Sequence, residues 1–136
     1  MAKTIYKSVE LNAKPEFVWV ALTNPDLTEL YLFGGRVESN WQTGGSIEWV
    51  GNENEQLVLY ASGKIDEIEI AYKLTYTTTD GLTTKYLLEP KKNESTRLTI
   101  EQADYDKLEN SQKRYDNAIV AWDSCLSNLS KLFIQI

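Results

Sequence analysis

The chain has 136 residues, of which 42% are hydrophobic and 25% are charged, a composition typical of one globular domain with a buried core. Its net charge is −6 and its three arginines are far apart, so we expect no basic surface for nucleic acid or for an anionic membrane. It has no histidine and one cysteine, which excludes nucleophile–histidine pairs, intramolecular disulfides and nearly all catalytic zinc sites.

The N-terminal part of the sequence predicts one strand followed by two short helices. Residues 4–11 alternate apolar and polar side chains, as a half-buried strand does. Pro15 suits the first turn of one helix, and Pro25 that of a second helix with Asn24 as its N-cap and Gly34-Gly35 at its end. The residues expected to face inward are Phe17, Val18, Ala21 and Leu22 in the first helix and Leu27, Leu30 and Tyr31 in the second.

The middle of the chain is almost entirely strand-like. Thr43-Gly44-Gly45 and Asp80-Gly81 are turn signals, and Gly63 permits a bulge or a sharp bend within a longer run. Several strands joined by short turns predict an antiparallel meander. The predicted strands are Arg36–Trp41, Ser46–Gly51, Gln56–Asp66, Ile68–Thr78, Thr83–Glu89 and Ser95–Gln102.

The longest periodic segment, about residues 109–133, predicts a helix with one continuous apolar stripe. The stripe consists of Tyr115, Ile119, Trp122, Leu126, Leu129 and Phe133. It is short for a coiled coil, and a sheet with an apolar face precedes it, so packing within the chain is favoured. We therefore predict a single α+β domain, residues 1–136, in which a curved antiparallel sheet of about six to seven strands wraps around a long C-terminal helix.

Four stretches of the sequence carry a family resemblance. They are Val9–Thr23 with Pro25-Asp26, Trp41–Trp49 with its paired glycines, Gly63–Tyr76, and Ser95–Ile100 before the helix that contains Trp122. In this order they resemble the helix-grip (START-like, SRPBCC) superfamily, which includes the START lipid-transfer domains and the major birch pollen allergen. Within it they are most similar to bacterial homologues of the activator of the heat-shock protein 90 ATPase. Ile70 stands near the place where that family has a proline.

The resemblance implies a helix-grip fold with an apolar cavity between the sheet and the C-terminal helix. The residues that we expect to line it and to bind a ligand are Trp49, Leu59, Tyr72, Leu74, Tyr76, Tyr86, Leu88, Leu98, Ile100, Tyr115, Ile119, Trp122, Leu126 and Leu129. Tyrosine hydroxyls and the Trp122 indole N–H would be its polar groups. The alternative for the same residues is a fully packed core.

Other reactive side chains have simpler interpretations. The carboxylates of Asp66, Glu67 and Glu69 are typical of a solvated strand end, although such a group can also act in acid–base chemistry or bind a cation. Cys125 lies beside the apolar stripe without a nearby cation to activate it, so we expect a buried structural thiol. No catalytic residue, metal site or cofactor is predicted.

Three functions remain open at this stage. The first is non-catalytic binding of a small hydrophobic or aromatic ligand, a lipid or a metabolite. The second is a protein-interaction module for a chaperone or other protein, an accessory factor of the stress response, as the family resemblance implies. The third is a histidine-independent cyclase or hydrolase.

Location and assembly are also predicted from the sequence. With one cysteine, no apolar leader and no apolar run approaching about 20 residues, we expect a cytoplasmic protein without membrane insertion. We expect a monomer or a weak homodimer.

Overall fold

A computed structural model describes residues 4–103, 105 and 108–133 of the chain. One strand, two short helices, six further strands and one long helix follow each other, as the sequence predicts. The bounds are β1 (Ile5–Leu11), α1 (Pro15–Thr23), α2 (Pro25–Tyr31), β2 (Arg36–Ser39), β3 (Ser46–Glu53), β4 (Gln56–Glu69), β5 (Lys73–Thr78), β6 (Thr83–Lys91), β7 (Ser95–Ala103) and α3 (Ser111–Lys131).

Asn24 both ends α1 and begins α2. Its backbone N–H donates to Val20, and its side-chain oxygen accepts from the backbone N–H of Asp26 at 2.9 Å, which confirms the predicted N-cap. Two inward assignments were wrong: Phe17 is 61% exposed and Leu30 is 59% exposed. Trp19 is buried instead, and with the buried residues at positions 18, 21 and 22 it forms the inward face of α1.

The seven strands form one curved antiparallel sheet, which confirms the predicted fold class. Their order is β1-β7-β6-β5-β4-β3-β2, so consecutive strands are neighbours except that β1 pairs with β7 at one edge. This arrangement is a meander of β2 to β7 with β1 added beside β7, and α3 packs against β1 and α2. One apolar face of the sheet is thereby covered by helices.

Strand β4 is longer than predicted and contains two β-bulges. Tyr60 has no partner in the pairing with β3, and Asp66 has none in the pairing with β5. The predicted strand end at Asp66 was wrong, because the bulge there lets the strand continue to Glu69. Gly63 lies between the bulges, where a Cβ atom would overlap the backbone carbonyl of Thr77, so it permits a close approach of β5.

The buried side chains form two clusters under α3. The larger joins α1, α2 and the sheet to the C-terminal half of α3 through Cys125, Leu126 and Leu129. The smaller contains Ile5, Leu82 and Tyr105, and Tyr115 and Ile119 from the N-terminal half of α3 pack against it. Trp122 contacts both clusters. Within the described residues, no helix is long and apolar enough to cross a membrane.

Candidate functional site

A cavity of about 400 Å³ lies between the sheet and α3, at the level of Trp122. Its exposed rim includes Tyr60, Thr79 and Asp80, from the bulged strand β4 and the β5–β6 turn. Its lining residues come from strands β3 to β7 and the β5–β6 turn, from α3 and from the segment between α2 and β2. They are Leu32, Gly35, Trp49, Tyr60, Ala61, Ser62, Tyr76, Thr78, Thr79, Asp80, Leu82, Tyr86, Gln102 and Trp122.

Aromatic rings follow one another across the cavity from the sheet to the helix. The ring centroids of Trp49 and Tyr76 are 4.9 Å apart, those of Tyr76 and Tyr86 are 5.9 Å apart, and those of Tyr86 and Trp122 are 6.2 Å apart. The last two pairs meet edge to face, with interplanar angles of 83° and 87°. Edge-to-face contacts are a favourable geometry for aromatic pairs, so the rings support one another as a fixed surface.

The ring of Tyr60 lies at the rim of the cavity because of two local features. The bulge turns Tyr60 toward the cavity, and Gly51 on the neighbouring strand leaves room for its ring. A Cβ atom at Gly51 would overlap that ring. The phenol of Tyr60 donates to Glu53 at 3.4 Å, at the outer end of the same hairpin.

Polar side chains form a row across the inner face of three strands, which we call the polar row: Gln102 on β7, Thr84 on β6 and Tyr76 on β5 are direct cross-strand partners. The Gln102 Nε2 atom donates to the Thr84 hydroxyl at 2.8 Å, and Thr84 lies directly opposite Tyr76 on the neighbouring strand. The Tyr76 and Tyr86 oxygens are 3.3 Å apart. The row therefore ends at two phenols that line the cavity.

Helix α3 and the segment after β7 also bind to Gln102. Its Oε1 atom accepts from the indole Nε1–H of Trp122 at 2.9 Å and from the hydroxyl of Tyr105 in a short hydrogen bond. An indole N–H can only donate, so the amide oxygen must face Trp122 and the amide nitrogen must face Thr84. Gln102 thus fixes the position of Trp122 over the cavity.

The cavity phenols remain neutral at physiological pH. Burial raises the pKa of Tyr76, and burial together with the neighbouring Tyr76 raises the pKa of Tyr86 well above its ordinary value. Burial also raises the pKa of Tyr105 to about 12. These groups can donate hydrogen bonds, but they do not act as bases near pH 7.

Asp80 is the one carboxylate among the described residues that line the cavity. Partial burial alone would raise its pKa, but hydrogen bonds from the Thr78 hydroxyl at 2.5 Å and from Arg114 at 2.6 Å lower it below its ordinary value. This ion pair connects the β5–β6 turn to the first turns of α3. A paired carboxylate with a lowered pKa is unsuited to general-base catalysis. The described part of the chain also brings no three His, Cys, Asp or Glu side chains together as metal ligands.

The structure brings four of the fourteen sequence-predicted site residues to the cavity: Trp49, Tyr76, Tyr86 and Trp122. Eight others are packed in or against the two buried clusters. Those in the larger cluster are Leu74, Leu88, Leu98, Ile100, Leu126 and Leu129, and those against the smaller one are Tyr115 and Ile119. The packed-core alternative thus holds for most of the stripe, and α3 contributes Trp122 alone to the described lining.

Leu59 and Tyr72 lie outside the cavity and the core, 54% and 48% exposed, which corrects their predicted placement. The bulge at Tyr60 reverses the alternation of β4, so Leu59 pairs with Val50 on the outer face while Ala61 pairs with Trp49. Tyr72 belongs to the turn after β4, where Ala71 is left-handed with φ of 63°, and β5 begins only at Lys73.

Sequence reasoning missed Gln102 in the lining and its buried partner Thr84. Gln102 continues the inward alternation of Leu98 and Ile100, and Thr84 continues that of Tyr86 and Leu88. A polar residue at an inward position is a signal for a buried hydrogen bond or a site, and both positions carried it. The rim at Thr79 and Asp80 was recognisable as a turn, but its distance from α3 along the chain concealed its place at the cavity.

The predicted acidic cluster and the cysteine lie outside the cavity. Asp66 and Glu67 are exposed; Asp66 accepts from the Thr77 hydroxyl at 2.6 Å, and Glu67 pairs with Lys73. Cys125 is buried as expected, and burial raises the pKa of its thiol to about 11. A thiol with so high a pKa is a structural side chain rather than a nucleophile.

With this geometry in place, the family can be assigned. The family model described as activator of Hsp90 ATPase homolog 1-like protein matches residues 12–133, nearly the whole chain. The chain belongs to that family. The match covers the cavity, α3 and all the described strands except the first. The comparison with curated proteins found no match.

Solved structures with the same fold include proteins from several bacteria. ChR145 from Cytophaga hutchinsonii is 25% identical with a TM-score of 0.71, covering 96% of this chain and 92% of its own. CV1439 from Chromobacterium violaceum is 22% identical with a TM-score of 0.73, and the match covers 98% of this chain and 99% of CV1439. CalU16 from Micromonospora echinospora is 21% identical with a TM-score of 0.75, and the match covers 96% of this chain and 74% of CalU16. The last two establish likeness of fold only.

Proposed function

We propose that this protein binds a small, largely aromatic molecule in the cavity beneath Trp122, without transforming it. The observation that carries the proposal is the continuous series of rings from Trp49 through Tyr76 and Tyr86 to Trp122 around a cavity of about 400 Å³. Ligand sites are commonly apolar concavities of this size with a few placed polar groups. We further propose that the protein acts in the cytoplasm.

The charges around the cavity support a neutral ligand. No lysine or arginine occurs among the described lining residues, and Arg114, which reaches the rim residue Asp80, is paired with its carboxylate. A buried anionic head group would therefore have no cation to pair with, and an unpaired buried charge is costly. Flat rings also match the lining better than a long acyl chain, because aromatic surfaces stack on one another.

The proposal is tested by titrating the protein with the tricyclic ketone 9-fluorenone and measuring ¹H–¹⁵N NMR spectra. Saturable shifts at the indole N–H groups of Trp49 and Trp122 are expected. Ala61 lies beside Trp49 in the lining, so Ala61→Trp should fill the cavity and weaken binding at least about tenfold. Leu59→Trp, on the outer face of the same strand, is the matched control and should bind as the wild type does. Equal binding by both variants would contradict the proposal.

A second candidate function is interaction with a chaperone. The family description favours it, and so do exposed apolar side chains on the short helices: Phe17 and Val20 on α1, and Leu30 and Phe33 in and after α2. Its test is binding to an Hsp90 chaperone and stimulation of the chaperone ATPase. If the protein neither binds the chaperone nor stimulates its ATPase, this function is rejected. Loss of binding and stimulation in Phe17→Asp, with both kept in the control variant Tyr6→Asp, would support it.

A further inference from the structure

The polar row carries an inference about which aromatic ligand the cavity takes, and this inference rests on the proposed function. The hydrogen-bond donors from Trp122 to Thr84 can be assigned in order. The indole N–H donates to Gln102 Oε1, so Gln102 Nε2 donates to Thr84 at 2.8 Å. Thr84 is fully buried, and its oxygen accepts this bond, so the Trp122 and Gln102 protons are both used within the protein.

The two phenols at the end of the row share one hydrogen bond, which leaves one phenolic proton unused. Tyr76 and Tyr86 have two hydroxyl protons between them, and their oxygens are 3.3 Å apart. One of these protons forms the bond between the two phenols, whichever of them donates. The other has no acceptor among the described residues, and both phenols line the cavity. The floor of the cavity therefore offers a hydrogen-bond donor.

We propose that the cavity selects neutral aromatic molecules that carry a carbonyl oxygen, which accepts a hydrogen bond from the Tyr76–Tyr86 hydroxyl pair. The pair lies between the rings of Trp49 and Trp122, so a planar ligand stacked on these rings has its edge at the phenols. Burial raises the pKa of both phenols, so the donor keeps its proton across the physiological range. A carbonyl satisfies this donor, and an isosteric hydrocarbon leaves it unsatisfied.

The test compares 9-fluorenone with fluorene, which has the same three-ring frame without the carbonyl. Affinities are measured by isothermal titration calorimetry for the wild type, for the double variant Tyr76→Phe/Tyr86→Phe, and for Tyr72→Phe. The measured quantity is the ratio of the fluorene Kd to the fluorenone Kd, because transfer from water affects each probe equally in every variant. We expect this ratio to fall about tenfold in the double variant and to stay unchanged in Tyr72→Phe, whose ring is exposed.

A spectroscopic measurement on the wild type keeps the inference testable if the double variant does not fold. The infrared carbonyl stretch of bound fluorenone should lie at lower frequency than in a hydrocarbon solvent. Two results would overturn the inference and leave the proposed aromatic binding intact. One is binding of fluorenone with an unshifted carbonyl stretch. The other is a ratio of the fluorene Kd to the fluorenone Kd that is the same in the double variant as in the wild type. Failure of both probes to bind the wild type would overturn both proposals together.

Discussion

Gln102 makes a specific prediction about stability, because three groups depend on its side chain. Gln102→Leu removes the acceptor of Trp122 and of Tyr105 and the donor to Thr84. At about 1 kcal/mol of net stability per hydrogen bond the loss is about 3 kcal/mol, and the added apolar burial of leucine offsets about 1 kcal/mol. We therefore expect Gln102→Leu to lower the free energy of unfolding by about 2 kcal/mol.

The assay is urea denaturation followed by tryptophan fluorescence, with Gln42→Leu as the matched control. Gln42 is exposed in the loop before β3, so its replacement should change the free energy of unfolding by less than about 0.5 kcal/mol. A double-mutant cycle with Trp122→Phe should give a coupling energy of about 1 kcal/mol, because the two side chains share one hydrogen bond. A Gln102→Leu cost no larger than the control, or zero coupling, would refute the hydrogen bonding assigned to Gln102.

Three further predictions separate core, rim and surface. Leu98→Ala should lower the free energy of unfolding by about 3 kcal/mol, since Leu98 is fully buried in the larger cluster. Leu59→Ala should lower it by less than about 0.5 kcal/mol, because Leu59 is exposed. Similar losses in the two variants would contradict the assigned faces of the sheet. The lowered pKa of Asp80 means that its ion pair with Arg114 contributes stability above pH 3.8 and loses it as pH falls through the lower folded value. Asp80→Asn should therefore cost less than about 1 kcal/mol at pH 7 and less at pH 2 than at pH 7, and a cost that grows in acid would refute this. With its pKa raised to about 11, the thiol of Cys125 should react with iodoacetamide at pH 8 only after unfolding, and rapid labelling of the folded protein would be inconsistent with this structure.

The element order could be predicted from the sequence because each signal was local. Pro15, Asn24 with Pro25, and Asp80-Gly81 each set an element boundary through backbone chemistry that does not depend on distant contacts. The periodic stripe of α3 likewise required an apolar surface to pack against. The strand ends were less predictable, since the bulge at Asp66 is stabilised by pairing with a strand that lies further along the chain.

The cavity could be predicted only in part, because its lining depends on register. The bulge at Tyr60 moves Leu59 to the outer face and brings Tyr60 to the rim, and strict alternation along β4 does not predict that exchange. Trp122 was recognisable as a stripe residue, but whether it packs or lines the cavity is decided by Gln102, 20 positions away in the sequence. The inward polar residues Thr84 and Gln102 were the sequence signal that went unused.

The most direct test of aromatic binding beneath Trp122 is a set of intermolecular nuclear Overhauser effects between bound 9-fluorenone and the isotope-labelled protein. We expect contacts from the ligand protons to the ring protons of Trp49, Tyr86 and Trp122, which surround the cavity. Contacts confined to exposed apolar side chains such as Phe17 or Leu59 would place the ligand on the surface and contradict a binding function for the cavity.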